Sequence, residues 1–267
     1  MNKIPGRHFA KNLVERRTLL AQLVRRDFEQ RYVGSAAGWL WGVVHPLVLL
    51  ASWVFVFQIC LKVNPPPGVS NYTLFLFAGM LPWLLFQDTV LRSSVALLEH
   101  SNLITKTVFP SEVVPVSIFL SSLIHHLIAL AVALVWVLIV IKFVSPMILL
   151  LPLYMFFVGL LGVGVGWIAA SLHVYLRDTA QVLTVAMTLW FWATPIMISE
   201  QQIPEPYHRL ILWNPMSWVV RAYRARIFSH SWPTGSEIFT LAAYSITIFI
   251  LGGLFFRHLK RGFADVL

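Results

Sequence analysis

Between Arg31 and Lys62 the chain runs 30 residues without a charged side chain. About 20 apolar residues cross the ~30 Å hydrocarbon core of a bilayer as an α-helix, so a chain that repeats such runs has few folds open to it. Spans are expected at about residues 38–61, 72–98, 113–141, 147–172, 179–199 and 238–256. The third is a charge-free run of 29 residues, the fifth of 21 and the sixth of 19. The second carries Asp88 and Arg92 near one end, four apart with the acid first, the favourable order for a pair along a helix. A β-barrel would instead show alternating segments of ~10 residues. Of the 267 residues 58% are hydrophobic and 12% charged, against about 45–50% and ~25% in a soluble domain. That balance excludes a soluble globule, a disordered chain, collagen and a coiled coil. The expected fold is an all-α polytopic membrane protein with six transmembrane helices.

The formal charge of +9 does not call for nucleic acid; in such a chain the position of each Lys and Arg matters more. With six spans both termini share a side, and that side holds fourteen of the 20 basic residues. The positive-inside bias places both termini in the cytoplasm. The first apolar run is too long for the core of a cleaved signal and lacks a small-residue cleavage site. Cys60, the one cysteine, allows no internal disulfide and no thiolate metal cluster.

Four stretches outside the spans carry information. Residues 1–37 hold eight basic residues, and Leu20, Leu23, Val24, Phe28 and Tyr32 recur at helical spacing. This predicts an amphipathic helix at the cytoplasmic surface, either a topology anchor or a wall of the path taken by a phosphate-bearing lipid. Gly34, Gly38 and Gly42 follow at four-residue spacing, as do Gly162, Gly166 and Ala170 in the fourth span; such stripes let another backbone approach closely. Residues 99–112, between the second and third spans, are too long for a mere turn and offer a short helix with an apolar edge of Leu103, Ile104 and Val108. It is read as a loop helix or as a docking element. Residues 200–237 form the longest outer segment. Asn214-Pro215 is a strong helix start, and a helix from Pro215 to Phe228 of about 21 Å is too short to cross, so it is expected to be re-entrant or interfacial. A tail, 257–267, completes the chain.

Several chemistries lack their residues. No lysine follows a glycine, so there is no phosphate-binding loop of the G-x-x-x-x-G-K-[ST] type. His125 and His126 are adjacent and on a helix point about 100° apart, which disfavours joint metal ligation. Asp88 is the sole acid near a span interior, and Arg92 is placed to neutralise it, which leaves little for a proton relay. Aromatics are abundant instead: Trp39, Trp41 and Trp53 mark the first span and Trp190, Phe191 and Trp192 the fifth. They fit an interfacial belt or, mid-span, flat faces offered to a passing sugar ring.

Taken in order, the motifs resemble the permease subunit of type 2 ABC exporters, in the branch that moves lipid-linked polysaccharides such as O antigen, capsule and teichoic acid. Arg31-Tyr32-Val33-Gly34-Ser35, Gly38-Trp39-Leu40-Trp41 and His45-Pro46-Leu47 resemble that family's approach to the first span. Pro82-Trp83-Leu84-Leu85-Phe86, Asn102-Leu103-Ile104 with Lys106, and Phe109-Pro110-Ser111-Glu112 with Pro115 resemble its second span and coupling helix. Tyr175 with Arg177-Asp178, Thr194-Pro195-Ile196, Asn214-Pro215-Met216 and Ala222-Tyr223-Arg224 resemble the later segments. The chain departs at Met197-Ile198-Ser199, where many relatives carry Tyr-Pro, and at Trp213 before the Asn-Pro pair.

The resemblance implies a homodimer around one channel, with two copies of a separate ATPase subunit that bind ATP and Mg; this chain would bind no cofactor or metal and be no enzyme. It implies a coupling helix at 99–112 using Asn102, Leu103, Ile104, Lys106, Phe109 and Glu112. Arg25, Arg26 and Arg31 would meet the lipid pyrophosphate. Trp41, Trp53, Trp190, Phe191 and Trp192 would line the channel. Asn214, Pro215, Met216, Tyr223 and Arg224 would form the outer gate. The implied activity is export of a lipid-linked polysaccharide, O antigen first, across the bacterial inner membrane. A permease for drugs or small lipids is the alternative within the family; an ATP-independent channel or secondary carrier is the alternative outside it.

Overall fold

The computed structural model of the chain describes residues 16–31, 35, 38–66, 69, 71–106, 109–229 and 232–266. Residues 1–15, Gly34 of the first glycine stripe, Val108 of the apolar edge and the side chain of Lys106 lie outside that set. Every regular element among the described residues is helical. They are α1 (Arg17–Gln30), α2 (Trp41–Trp53), α3 (Tyr72–Glu99), α4 (Ser101–Lys106), α5 (Val113–Ile141), α6 (Leu151–Tyr175), α7 (Thr179–Trp192), α8 (His208–Trp213), α9 (Pro215–Phe228), α10 (Gly235–Leu259) and α11 (Phe263–Val266).

Five helical stretches are long and apolar enough to cross a membrane: Trp41–Cys60, Tyr72–Glu99, Val113–Ile141, Pro146–Tyr175 and Gly235–Gly262. The first continues α2 through a wider-wound turn, Val54–Cys60. The 179–199 segment differs from expectation. Its helix stops at Trp192 after 14 residues, about 21 Å, because Pro195 supplies no backbone N–H to continue the ladder and Asn214 captures the carbonyl of Ala193. The chain still reaches the far end of the bundle through Ala193–Met197, where Tyr72 at the start of α3 donates to the Met197 carbonyl at 2.6 Å.

The core is built on α3 and α6. In α3, 72% of the most apolar window is buried, against 11% for Trp41–Cys60. Gly162 and Gly166 of α6 face Thr89 and Ser93 of α3, so that stripe serves packing within this chain. On the opposite side α6 meets α10 backbone to backbone: a Cβ on Gly164 would lie 2.6 Å from the Ile248 carbonyl oxygen, and one on Gly252 would strike Gly164. Gly38 and Gly42, the described members of the first glycine stripe, do not share one regular α-helix. Gly38 has φ +52, a left-handed conformation that glycine alone adopts at little cost, and it breaks the chain before α2 begins.

Helix ends follow local chemistry. The Asn71 side chain accepts from the Leu74 amide at 3.2 Å to start α3, and Thr234 accepts from Glu237 to start α10. Lys142, at φ +58, ends α5. The end of the bundle that carries α1 and α4 also carries the C-terminal residues, where Lys260 pairs with Glu112 and Tyr175 donates to the Leu259 carbonyl.

Candidate functional site

A cavity of about 410 Å³ opens between α1, α2, α3 and α5. It exists because α2 stands off from its neighbours. Its lining is graded. Arg31, Asp88, Ser122 and His125 surround one end; Trp41, His45 and His126 follow, and Leu49, Phe77 and Ala129 close the other.

The charged end is part of a ladder that ties α1 to α3. Arg31 Nη2 donates to Asp88 Oδ2 at 2.7 Å and to Ser122 Oγ at 3.0 Å. Ser122 Oγ donates to the same carboxylate oxygen at 2.5 Å. Asp27 pairs with Arg92 and lies 3.9 Å from Arg31. The expected pair of Asp88 with Arg92 within α3 is therefore replaced by two cross-helix pairs, because α1 brings its own acid and base, also four apart, against them. Asp27 had no visible role in the sequence; its spacing from Arg31 matches that of Asp88 and Arg92, and that repeated acid–base spacing was the available signal. Of the three arginines expected to meet a pyrophosphate, Arg31 is committed to this ladder, Arg25 donates to Glu29 at 2.7 Å on an exposed face, and Arg26 is exposed.

The aromatic residues of α7 separate by face. Trp190 packs edge-on against Trp83 and Phe86, with centroids 6.4 and 5.1 Å away. Its Nε1 donates to Asn214 Oδ1 at 2.9 Å. Phe191 leans on Trp83 at 5.7 Å. Trp192 is 69% exposed, on the helix face that carries Gln181, Thr188 and Val185. Met187 is the buried residue of this helix. Trp53 packs on Phe77, whereas Trp41 is exposed and borders the cavity.

Asn214 uses its full hydrogen-bonding capacity of two acceptor and two donor sites. Oδ1 accepts from the Met216 amide at 3.0 Å as well as from Trp190, and Nδ2 donates to the Ala193 carbonyl and to Thr194 Oγ1. The hairpin of α8 and α9 thus folds back into the bundle as far as Trp190. Met216 and Tyr223 are buried there. His126 Nδ1 donates to the Leu81 carbonyl at 3.2 Å, so in the neutral ring Nε2 is the acceptor for the Tyr223 hydroxyl at 3.1 Å. Arg224 donates to the carbonyls of Phe75, Pro195 and Ile196 and lies 3.5 Å over the Phe75 ring. Gly79 makes the room, since a Cβ there would sit 2.7 Å from the guanidinium. The sequence does not mark His126 and Thr194 for these roles, because their partners Tyr223 and Asn214 are distant in the chain.

At the other end, α4 is a single short helix. Asn102 and Thr105 are exposed and Leu103 is half-buried. Ile104 and Phe109 pack instead on the chain's own cluster of Leu97, Val114, Phe256 and Phe263. Glu112 is paired with Lys260, and its carbonyl accepts from Trp167 Nε1 at 3.1 Å. The expected apolar edge therefore does not face outward as a whole: Ile104 is turned inward by the C-terminal aromatics.

The fold and the long apolar helices define a multi-pass α-helical membrane protein with a short helical hairpin packed against one end. Residues 18–228 match the ABC-2 type transporter family, and the chain belongs to that family. It is 28% identical over 257 residues to the O-antigen export system permease protein RfbA of Myxococcus xanthus, covering 96% of this chain and 97% of that one. It is 29% identical over 255 residues to a protein of the same name from Klebsiella pneumoniae, with 93% and 95% covered. It is 23% identical over 240 residues to the polysialic acid transport protein KpsM of Escherichia coli, with 88% and 91% covered.

Proposed function

We propose that this chain is the channel-forming subunit of an ATP-driven exporter that moves a lipid-linked polysaccharide, O antigen foremost, across the bacterial inner membrane. In this reading α7 and Ala193–Met197 together make a sixth crossing. Both termini lie in the cytoplasm, α1 lies at the membrane interface, and the α8–α9 hairpin closes the outer side. Two copies form the channel. ATP and Mg bind a separate ATPase, which seats on α4 through Asn102 and Leu103. Arg25 and Arg26 draw the pyrophosphate of the lipid to the surface.

The observation that carries this reading is the exposed face of α7. Gln181, Thr188 and Trp192 lie on it beside Val185. The Thr188 hydroxyl donates to the Thr184 carbonyl at 3.0 Å and keeps its lone pairs to accept, and an acceptor beside an aromatic plane suits a sliding sugar chain. Capsule and teichoic acid remain alternative cargoes; the names of the relatives favour O antigen.

The test is export from vesicles holding the permease with its ATPase subunit. Trp192→Ala should lower polymer export about tenfold, which corresponds to about 1.4 kcal/mol, with complex yield intact. Leu103→Glu should detach the ATPase by placing an unpaired carboxylate in an apolar seat. Ile104→Glu should instead unsettle the chain's own packing. Full export and a stoichiometric ATPase in both Trp192→Ala and Leu103→Glu would refute the assignment, and transport without any ATPase would make the chain a channel or carrier.

A further inference from the structure

We infer that the cavity between α1, α2, α3 and α5 is a binding site for one aminophospholipid of the surrounding membrane, a lipid with a zwitterionic phosphate–primary amine headgroup. The inference is independent of the exporter reading.

The shape is that of a lipid tail lying along the helices. On α3 the lining runs from Asp88 through Leu85, Leu81 and Met80 to Phe77, which at 1.5 Å per residue is about 16 Å. The polar groups gather at the Asp88 end, the end where α1 packs, and the far end is apolar. A volume of about 410 Å³ holds the upper part of one acyl chain, with the second chain and the tail end lying in the bilayer.

The charge at the mouth selects the headgroup. A site for a lone phosphate or pyrophosphate would present excess positive charge. Here Arg31 and Arg92 are matched by Asp27 and Asp88, so the mouth is neutral overall and a bare anion would meet the Asp88 carboxylate. Among the described residues, each of the two charged groups that line the cavity nevertheless has an atom without a hydrogen-bond partner. Asp88 accepts its two hydrogen bonds on Oδ2, which leaves Oδ1 without a protein partner among the described residues. Arg31 donates through Nη2, and Nη1 has no protein partner among the described residues. A donor and an acceptor side by side, one cationic and one anionic, match a phosphate on Arg31 and an ammonium on Asp88. A primary ammonium donates hydrogen bonds to a carboxylate; a quaternary one has none to give.

The experiment uses the full chain in nanodiscs of equal parts phosphatidylethanolamine, phosphatidylglycerol and phosphatidylcholine with matched acyl chains. Lipid retained through mild detergent extraction is then quantified by native mass spectrometry. About one phosphatidylethanolamine per chain should be retained, enriched about tenfold over either competitor, as one charge-assisted hydrogen bond allows. Asp88→Asn should erase the preference over phosphatidylglycerol. Ala129→Phe, which fills the apolar end without touching the mouth, should lose the retained lipid while leaving helicity and the loosely held annular lipids unchanged. Equal retention of the three lipids, enrichment of phosphatidylglycerol, or retention unaltered in Ala129→Phe would overturn the inference. So would stoichiometric displacement by added undecaprenyl phosphate, which would assign the cavity to a polyprenyl carrier.

Discussion

Asn214 is the point at which the α8–α9 hairpin is fastened to α7, and Asn214→Ala isolates that fastening. The substitution removes an N-cap of α9, worth about 1 kcal/mol. It also strips the acceptor from Trp190 Nε1, a half-buried donor, at a cost of about 1–3 kcal/mol. Thr194 keeps its own bond to the Trp190 carbonyl at 2.8 Å, so the loss on the donor side is small. The expected destabilisation is about 2–4 kcal/mol. Asn214→Asp keeps an oxygen for Trp190 Nε1 and the Met216 amide and places a carboxylate at the N-terminus of α9, where the helix dipole favours it. It sets its second oxygen against the Ala193 carbonyl that Nδ2 serves, so it should recover only the acceptor part of the loss. Reversible unfolding in mixed micelles measures these differences. A double-mutant cycle with Trp190→Phe then isolates the side-chain bond, with a coupling of about 0.5 kcal/mol or more expected. An Asn214→Ala variant within about 0.5 kcal/mol of the parent, or a cycle that sums to zero, would show that the hairpin is held elsewhere.

Gly164→Ala should cost about 1–3 kcal/mol, because its Cβ meets the Ile248 carbonyl at 2.6 Å and backbone cannot step aside cheaply. Gly253→Ala, whose Cβ meets the Trp167 ring at 3.4 Å, should be tolerated, and the yield of folded protein compares the two. In the charge ladder, Asp27→Asn and Arg92→Gln should each cost about 1–3 kcal/mol and loosen α1, read as faster proteolysis after Arg31. The double exchange Asp27→Arg with Arg92→Asp should restore part of that protection, whereas equal protection in all variants would show that α1 is held by its apolar face alone.

The long helices were legible because charge marks a membrane span on both sides: Val113–Ile141 coincides with its charge-free run. The cap at Asn214 was legible because it acts within two residues of itself. What sequence could not give was the partner of a charge. Asp88 and Arg92 stand at ideal spacing for each other, yet a pair of equal spacing on α1, about 60 residues away, divides them. The length of α7 was hidden for a related reason. Its apolar run continues to Ser199, but the backbone is turned at Ala193 by a side chain 21 residues further on. Which aromatic of α7 stands clear is decided by Trp83 and Asn214, neither of which marks its partner in sequence.

The helix α9 shows how a short segment with three arginines is held inside an apolar bundle. At about 100° per residue, Arg221, Arg224 and Arg226 leave the helix in three directions, and each is met by a different element. Arg221 pairs with Glu200 at 2.5 Å from the turn ahead of it and stacks on Trp218. Arg226 is buried and lies 3.3 Å from Glu237 in the first turn of α10, whose carboxylate also accepts from Tyr154 at 2.6 Å. Among the described residues Arg224 has no acid in hydrogen-bonding range, and it relies on carbonyls. Two of these, from Pro195 and Ile196, lie just beyond the end of α7, where the helix dipole adds negative potential. Burying a cation this way costs less the more completely it is paired and hydrogen-bonded, and the three sets of partners belong to three separate parts of the chain. Withdrawing α9 from the bundle would therefore expose all three sets at once. The hairpin is fixed as a unit, and its position depends jointly on the end of α7, the start of α3 and the start of α10.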